Sequence, residues 1–194
     1  MLSYEESLKI LKKTNALLDG HFILSSGLHS AQYVQCAQLL SKPNKAVDFC
    51  KSLAEKISIG FKEIDLILSP AMGGIVIGYE IGRILKKETI FSERVKGQFE
   101  LRRDFKIPKH SKVLIVEDVI TTGRSSIECS KLVELEEAHT VGFACLIDRS
   151  NGESSIDKKI VSQIEINITT YKENELPESL ISIPAIKPGS RELK

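Results

Sequence analysis

At 194 residues the chain is long enough for one α/β domain with a substantial core and too short for two ordinary ones. Lys plus Arg number 27 against 26 Asp plus Glu, which excludes a global pull toward nucleic acid or an anionic membrane surface and makes any electrostatic argument local. Cys36, Cys50, Cys129 and Cys145 lie far apart, without a C-x-x-C pair or a histidine at metal-ligand spacing, so reduced core thiols are expected; with no basic-then-apolar leader and no membrane-length apolar stretch, a cytoplasmic protein is expected.

Ser3 followed by Glu6 is a capping box, and Tyr4, Leu8, Leu11 and Leu18 recur at helical spacing, which predicts an opening amphipathic helix ending at Asp19 and Gly20. Residues 21–40 hold a Ser-Ser-Gly turn between two extended pieces, 22–24 and 31–34, suited to a small hairpin or hood beside the main sheet. Pro43 reads as a first-turn proline of a second helix, with Val47, Cys50, Leu53, Ala54 and Ile57 as its apolar face. From Asp65 onward, short apolar runs at 66–68, 89–91, 112–116 and 141–147 alternate with helical segments at 75–85 and 125–135. That alternation predicts one α/β domain over residues 1–194 with a central parallel sheet flanked by helices, the hood being mainly residues 1–40 plus the C-terminal segment. The basic stretch 92–110 is longer than a plain connection requires and is expected to be a mobile loop with some hairpin character. After Pro184 the chain is too rich in Pro and Gly for a helix.

Chemistry concentrates in residues 113–126. A buried strand runs into Glu117 and Asp118, followed by Val119, Ile120, Thr121, Thr122, Gly123, Arg124 and Ser125, where a helix begins. Ligands of a parallel α/β sheet bind at the carboxyl ends of its strands, so the two acids should stand at a cleft rim, suited to hydroxyls or magnesium. The hydroxyl-rich loop offers backbone N–H groups, close approach at Gly123 and a helix N-terminus, which together suit a phosphate. Either half alone is an ordinary strand end or helix entry; their order is what carries the reading. A second glycine turn, Ala71, Met72, Gly73 and Gly74, follows the strand at 66–68 and is either a tight βα turn or a second phosphate site. Most cations of the basic stretch, Arg102, Arg103, Lys106 and Lys109 among them, fit a solvated face, while Arg94 and Lys96 beside Gly97 are better placed to neutralise a leaving group from a lid. Arg149, after the strand at 141–147, either forks onto a substrate carboxylate or pairs with a neighbouring acid.

Residues 113–125 resemble the sugar-phosphate signature of the type I phosphoribosyltransferases. The N-terminal stretch 20–30 with Tyr33, the turn 69–74, Leu101 to Arg103, the run 146–149 and the closing segment 183–191 are most similar to the members that take orotate. The resemblance implies transfer of the phosphoribosyl group from 5-phosphoribosyl 1-diphosphate to orotate, with Mg²⁺ held mainly by the substrate and no direct protein ligand expected. It implies that Glu117 and Asp118 hold the ribose hydroxyls, and that Thr121, Thr122, Gly123, Arg124 and Ser125, entered through Val119 and Ile120, hold the 5′-phosphate. Ala71, Met72, Gly73 and Gly74 would take the pyrophosphate side, through a non-proline cis peptide at Ala71-Met72. Thr121, Arg149, Ser26, Phe22 and Tyr33 would meet orotate, and Arg94, Lys96 and Asp118 would carry catalysis. A homodimer sharing the basic loop in trans is implied as well. The chain departs from the family at Ser25, where many members have a lysine, in the loop 93–99, and in lacking a cysteine pair before the C-terminal Pro-Gly-Ser-Arg, so no structural zinc is expected. The rival readings are a purine phosphoribosyltransferase, against which Arg149 and the hood argue, and a non-catalytic phosphoribosyl-diphosphate sensor, which should show a DNA-binding helix pair or a basic face.

Overall fold

The computed structural model describes residues 1–24 and 26–188; Ser25 and the final Gly-Ser-Arg, both used above, lie outside the described residues. Helix α1, Tyr4–Lys13, opens on the capping box: the Ser3 hydroxyl accepts from the Glu6 amide at 3.2 Å and the Glu6 carboxylate from the Ser3 amide at 2.8 Å. It stops well short of Asp19, because Asn15 takes a left-handed conformation at φ 61° and the chain turns into a strand. Leu18, counted on the helix stripe above, belongs instead to β1, Leu17–Ile23, where its spacing from Leu11 is a coincidence of period. β1 pairs antiparallel with β2, His29–Val34, as the hairpin anticipated from the Ser-Ser-Gly turn.

Two helices follow, α2, Cys36–Leu40, and α3, Pro43–Gly60, the latter with its proline in the first turn. Strand and helix then alternate as β3, Leu66–Pro70; α4, Gly73–Leu85; β4, Glu88–Val95; β5, Gln98–Leu101; β6, Lys112–Ile120; α5, Arg124–Leu135; and β7, His139–Asp148. β8, Ile160–Glu165, β9, Thr170–Tyr171, and the one-turn α6, Glu178–Ile181, complete the described chain. The main sheet runs β5-β4-β3-β6-β7-β8. It is parallel except at β5, which pairs antiparallel with β4 through the two-residue turn Lys96-Gly97, both at positive φ (49° and 89°). Such a turn matches the twist of an antiparallel hairpin, so part of the basic stretch expected as a loop is sheet edge. A separate three-stranded sheet, β1-β2-β9, forms the hood, and Ile186 bridges to Phe22 on its open side.

The core lies in two layers. One face of the sheet packs Ile67, Leu114, Val116 and Leu146 against α3 and α4 residues Phe49, Leu53, Ile57, Ile77 and Ile81. The other packs Leu68, Val113, Ile115 and Phe143 against Cys129 and Val133 of α5. Because β3 connects to β4 on one side and β6 connects to β7 on the other, the strand order reverses between β3 and β6. An open α/β sheet receives ligands at such a switch point, beyond the carboxyl ends of the strands.

Candidate active site

Both segments singled out in the sequence meet at that switch point. The turn after β3 contains a cis peptide at Ala71-Met72 and leads into α4. The loop after β6 leads through Thr121 and Thr122, both exposed, and Gly123 at φ 76° into α5. Neither α4 nor α5 has an N-cap side-chain bond, in contrast to α1; at α5 the Thr122 hydroxyl accepts from the Arg124 amide at 3.4 Å, and the remaining first-turn N–H groups of both helices have no side-chain acceptor among the described residues. Two uncapped helix N-termini with favourable partial charge at one sheet edge suit a ligand that is anionic at both ends. A β-carbon on Gly123 would lie 2.6 Å from Cγ1 of Ile156, because residues 150–156 fold over this loop and the Ser155 amide donates to the Thr122 carbonyl at 3.1 Å.

Glu117 and Asp118 lie within β6, which continues to Ile120, rather than after it. Strand alternation sends them to opposite faces. Asp118 follows Leu114 and Val116 onto the α3/α4 side, where a β-carbon on Gly73 would meet its Oδ1 at 2.7 Å; only a glycine admits this approach of the two phosphate-suited segments. Glu117 follows Val113 and Ile115 toward the α5 side. Burial pushes both carboxyls up, Glu117 to about 8 with the neighbouring Asp118 charge adding to the effect. The contributions to both come from burial, from each other and from backbone amides, with no cation among them. Two desolvated acids without a cationic partner among the described residues fit a cation or hydroxyl donors brought by a ligand.

Arg149 follows β7, its amide donating to the Ile120 carbonyl at 2.8 Å. Its Nε is buried without a hydrogen-bond partner, and desolvation lowers its pKa, with Tyr33 and Cys36 close enough to oppose that shift. Among the described residues no acid pairs with Arg149. Tyr33 stacks on Phe22 with ring centroids 5.6 Å apart, so the hood's aromatic pair and Arg149 converge. Ser26 is exposed in the β1-β2 turn, its hydroxyl accepting from the Leu28 amide at 3.4 Å. Cys36, not singled out in the sequence, donates its thiol to the Asp118 carbonyl at 3.6 Å and is fully buried; nothing in its sequence context distinguishes it from a core cysteine.

The loop cations separate. Lys96 stands exposed at the hairpin tip. Arg94 is engaged instead: its Nη2 meets Glu128 at 2.6 Å, its Nη1 donates to the Gly97 carbonyl at 2.5 Å, and its guanidinium lies 4.1 Å over the Phe99 ring. Arg124 Nε meets the other oxygen of Glu128 at 2.9 Å. Arg102 and Arg103 both pair with Glu93, at 3.7 and 2.9 Å. Glu128 was missed by sequence reasoning, and its i+4 spacing from Arg124 was the one available signal.

The phosphoribosyl transferase domain family matches residues 37–180, which contain both helix-entry segments and Arg149. The chain belongs to this family. It is 47% identical over 188 residues to the orotate phosphoribosyltransferase of Erythrobacter litoralis, covering 96% of this chain and 97% of that one. It is 46% identical over 193 residues to that of Parvibaculum lavamentivorans, covering 99% and 100%. Among solved structures, the orotate phosphoribosyltransferase from Aeropyrum pernix aligns with a TM-score of 0.71 at 25% identity, over 81% of this chain and 92% of that one. The adenine phosphoribosyltransferase from Thermoanaerobacter pseudethanolicus aligns with a TM-score of 0.62 at 19% identity, over 70% and 88%; that likeness shows the fold. Phosphoribosyltransferases named for different bases thus share this fold.

Proposed function

We propose that the protein is an orotate phosphoribosyltransferase, moving the phosphoribosyl group of 5-phosphoribosyl 1-diphosphate to N1 of orotate and releasing pyrophosphate. Near-full-length identity to orotate phosphoribosyltransferases supports the reaction. The single structural observation that carries the base is Arg149, a desolvated guanidinium with an orphaned Nε beside the hood aromatics, which suits a planar anion bearing a carboxylate. A purine offers it no such partner.

The 5′-phosphate is assigned to the α5 entry, Thr121 to Ser125, and the pyrophosphate to the α4 entry, Ala71 to Gly74. Between them Asp118 and Glu117 take the ribose hydroxyls. As the bond from the anomeric carbon to pyrophosphate breaks, positive charge grows on the ribose and negative charge on the leaving group; N1 of orotate supplies the electron pair of the new bond and gives up its proton to the departing pyrophosphate, while the orotate carboxylate stays anionic. Asp118 stabilises the first charge, with Glu117, which holds a proton below about pH 8 in the folded chain, hydrogen-bonding a ribose hydroxyl, and the α4 N-terminus stabilises the second. Lys96 is assigned to the leaving group from the hairpin tip, and Arg94, engaged by Glu128, is assigned to holding that tip. Phe22, Ser26, Tyr33 and Thr121 form the base pocket with Arg149. Mg²⁺ travels with the diphosphate substrate, and the chemistry it supplies is neutralisation of the leaving group. The Glu117–Asp118 pair, desolvated and without a cation of the chain, fits a charge arriving in this way.

The partner is a second copy of the chain, with the hairpin shared in trans. Met72, Val76 and Tyr79 leave an apolar stripe on α4 that is 81%, 53% and 66% exposed, beside a cavity of about 350 Å³ lined by Leu40, Pro43, Val47 and Cys50. An apolar stripe continuous with the pyrophosphate turn supports an interface there. Among the described residues no helix is long and apolar enough to cross a membrane, and we assign the enzyme to the cytoplasm.

The test is loss of orotate absorbance on mixing protein, orotate, 5-phosphoribosyl 1-diphosphate and Mg²⁺, run beside adenine, guanine and xanthine. Turnover of orotate alone, abolished by EDTA, is expected. Consumption of a purine in its place would discard the assignment of the hood and of Arg149.

A further inference from the structure

We infer that Glu128 is a positioning residue for the transfer: through Arg94 it fastens the tip of the β4–β5 hairpin to α5 and fixes the base from which Lys96 projects. The inference rests on the reading of Lys96 as a loop cation of the reaction, and its geometry is independent of it. One guanidinium makes three attachments, to Glu128 of α5 at 2.6 Å, to the Gly97 carbonyl across the tip at 2.5 Å, and over the buried ring of Phe99 at 4.1 Å. Both legs of the hairpin and the helix that opens at the phosphate loop are therefore held by a single side chain. Glu128 makes this possible by its placement. It lies one turn into α5, where Arg124 at the first helical position occupies one carboxylate oxygen and leaves the other for Arg94. Desolvation pushes the Glu128 carboxyl up, but the two arginines outweigh it and hold the group below the ordinary glutamate range.

The competing account is an ordinary surface ion pair. The side chains are 37% and 25% exposed for Arg94 and Glu128, and such pairs contribute little to stability. An ion pair of that kind would leave turnover unchanged when removed. Orientation of the hairpin predicts the reverse: little change in stability and a clear change in turnover.

The experiment places a nitroxide on Gln98→Cys, an exposed hairpin position, in a protein whose four native cysteines are all buried and so escape labelling. Glu128→Gln is expected to narrow the label's spectrum, to lower kcat by about tenfold and to leave KM for orotate within about twofold, one unit of log rate being about 1.4 kcal/mol. In the Arg94→Ala background, Glu128→Gln is expected to lower kcat no further, because it acts through Arg94. An unchanged spectrum with unchanged kcat overturns the inference, and so does a full additive loss in the Arg94→Ala background. If the unsubstituted protein consumes no orotate, the functional reading fails while the label still decides whether Glu128 anchors the tip.

Discussion

Arg149 separates binding from stability more sharply than any other residue of the site. In the unliganded protein its guanidinium is desolvated and its Nε has no acceptor, so it opposes folding. Replacement by methionine keeps the stem and removes the charge. Relief of an unpaired, partly buried charge is worth about 1 kcal/mol after allowance for solvent on its exposed side, or about 2–4 °C in Tm for a chain of this size. The same change removes the charged fork that meets the orotate carboxylate. With charge-assisted hydrogen bonds worth about 1.5–3 kcal/mol each, a net loss near 3 kcal/mol corresponds to roughly a hundredfold. Arg149→Met should therefore raise the Tm of the free protein, raise KM for orotate about a hundredfold, and leave the affinity for 5-phosphoribosyl 1-diphosphate within a few-fold. Differential scanning calorimetry and steady-state kinetics with each substrate varied in turn provide the check. A fall in Tm, or equal losses for both substrates, would refute the argument, since either would make Arg149 a structural residue.

Glu117 gives a pH signature. Its carboxyl is pushed up to about 8 in the folded chain from an ordinary value of 4.5, so between those limits the folded state holds a proton that the unfolded state has released. Stability of the free enzyme thus falls as pH rises through that window, and the penalty is complete above about 8. Glu117→Gln removes it: the Tm difference from the parent should be small near pH 5 and grow to several degrees by about pH 9, whereas a constant difference across that range would show that the carboxyl is not perturbed. Gly123→Ala places a β-carbon 2.6 Å from Ile156 Cγ1 at φ 76°. A loss of about 2–3 kcal/mol in urea unfolding is expected, together with weaker binding of 5-phosphoribosyl 1-diphosphate; unaltered stability would mean that residues 150–156 yield freely. His21 ties the C-terminal segment to the hood: its Nδ1 donates to the Ile183 carbonyl at 2.9 Å, which leaves Nε2 to accept from His29 Nδ1 at 2.7 Å. His21→Ala should speed hydrogen exchange at the amides of Ile23 and Ile186, which bond across the same junction, and equal protection in both proteins would remove the anchoring role.

The parts of the fold that were legible are those in which one local signal decides the outcome. Apolar runs bounded by turns gave β3, β6 and β7, and the capping box and Pro43 gave the starts of α1 and α3. The end of α1 was misplaced because Leu17 and Leu18 satisfy either period, and the decision fell to Asn15, whose left-handed conformation has no strong sequence signature. β8 and β9 went unread, since their strand character comes from pairing with β7 and β2 rather than from their own alternation. For the site, composition and order located the two anion-suited turns. They did not separate the faces of Glu117 and Asp118, nor show that Arg94 is engaged by Glu128, because both depend on how α5 lies on the sheet.

A common physical feature joins the residues at the switch point. Among the described residues, two helix N-termini lack side-chain caps, two carboxyls are desolvated without a cation, and one guanidinium is desolvated without an anion. Each could satisfy another in a rearranged chain; Arg149 and Asp118 carry opposite charge. They are kept apart by the elements beneath them. β6 holds Asp118 against Gly73, and the Arg149 amide is tied to the Ile120 carbonyl. Charges fixed in this way cost the free protein stability and require no reorganisation when a ligand of complementary charge arrives. A sugar with anions at both ends and hydroxyls between them, beside a planar carboxylate, matches the full set. A dianion without the sugar matches only the helix N-termini. Inorganic pyrophosphate should therefore stabilise the enzyme less than the complete sugar diphosphate does at equal saturation of the α4 entry, and the difference should shrink in Glu117→Gln, where one of the two carboxyls without a cation is gone.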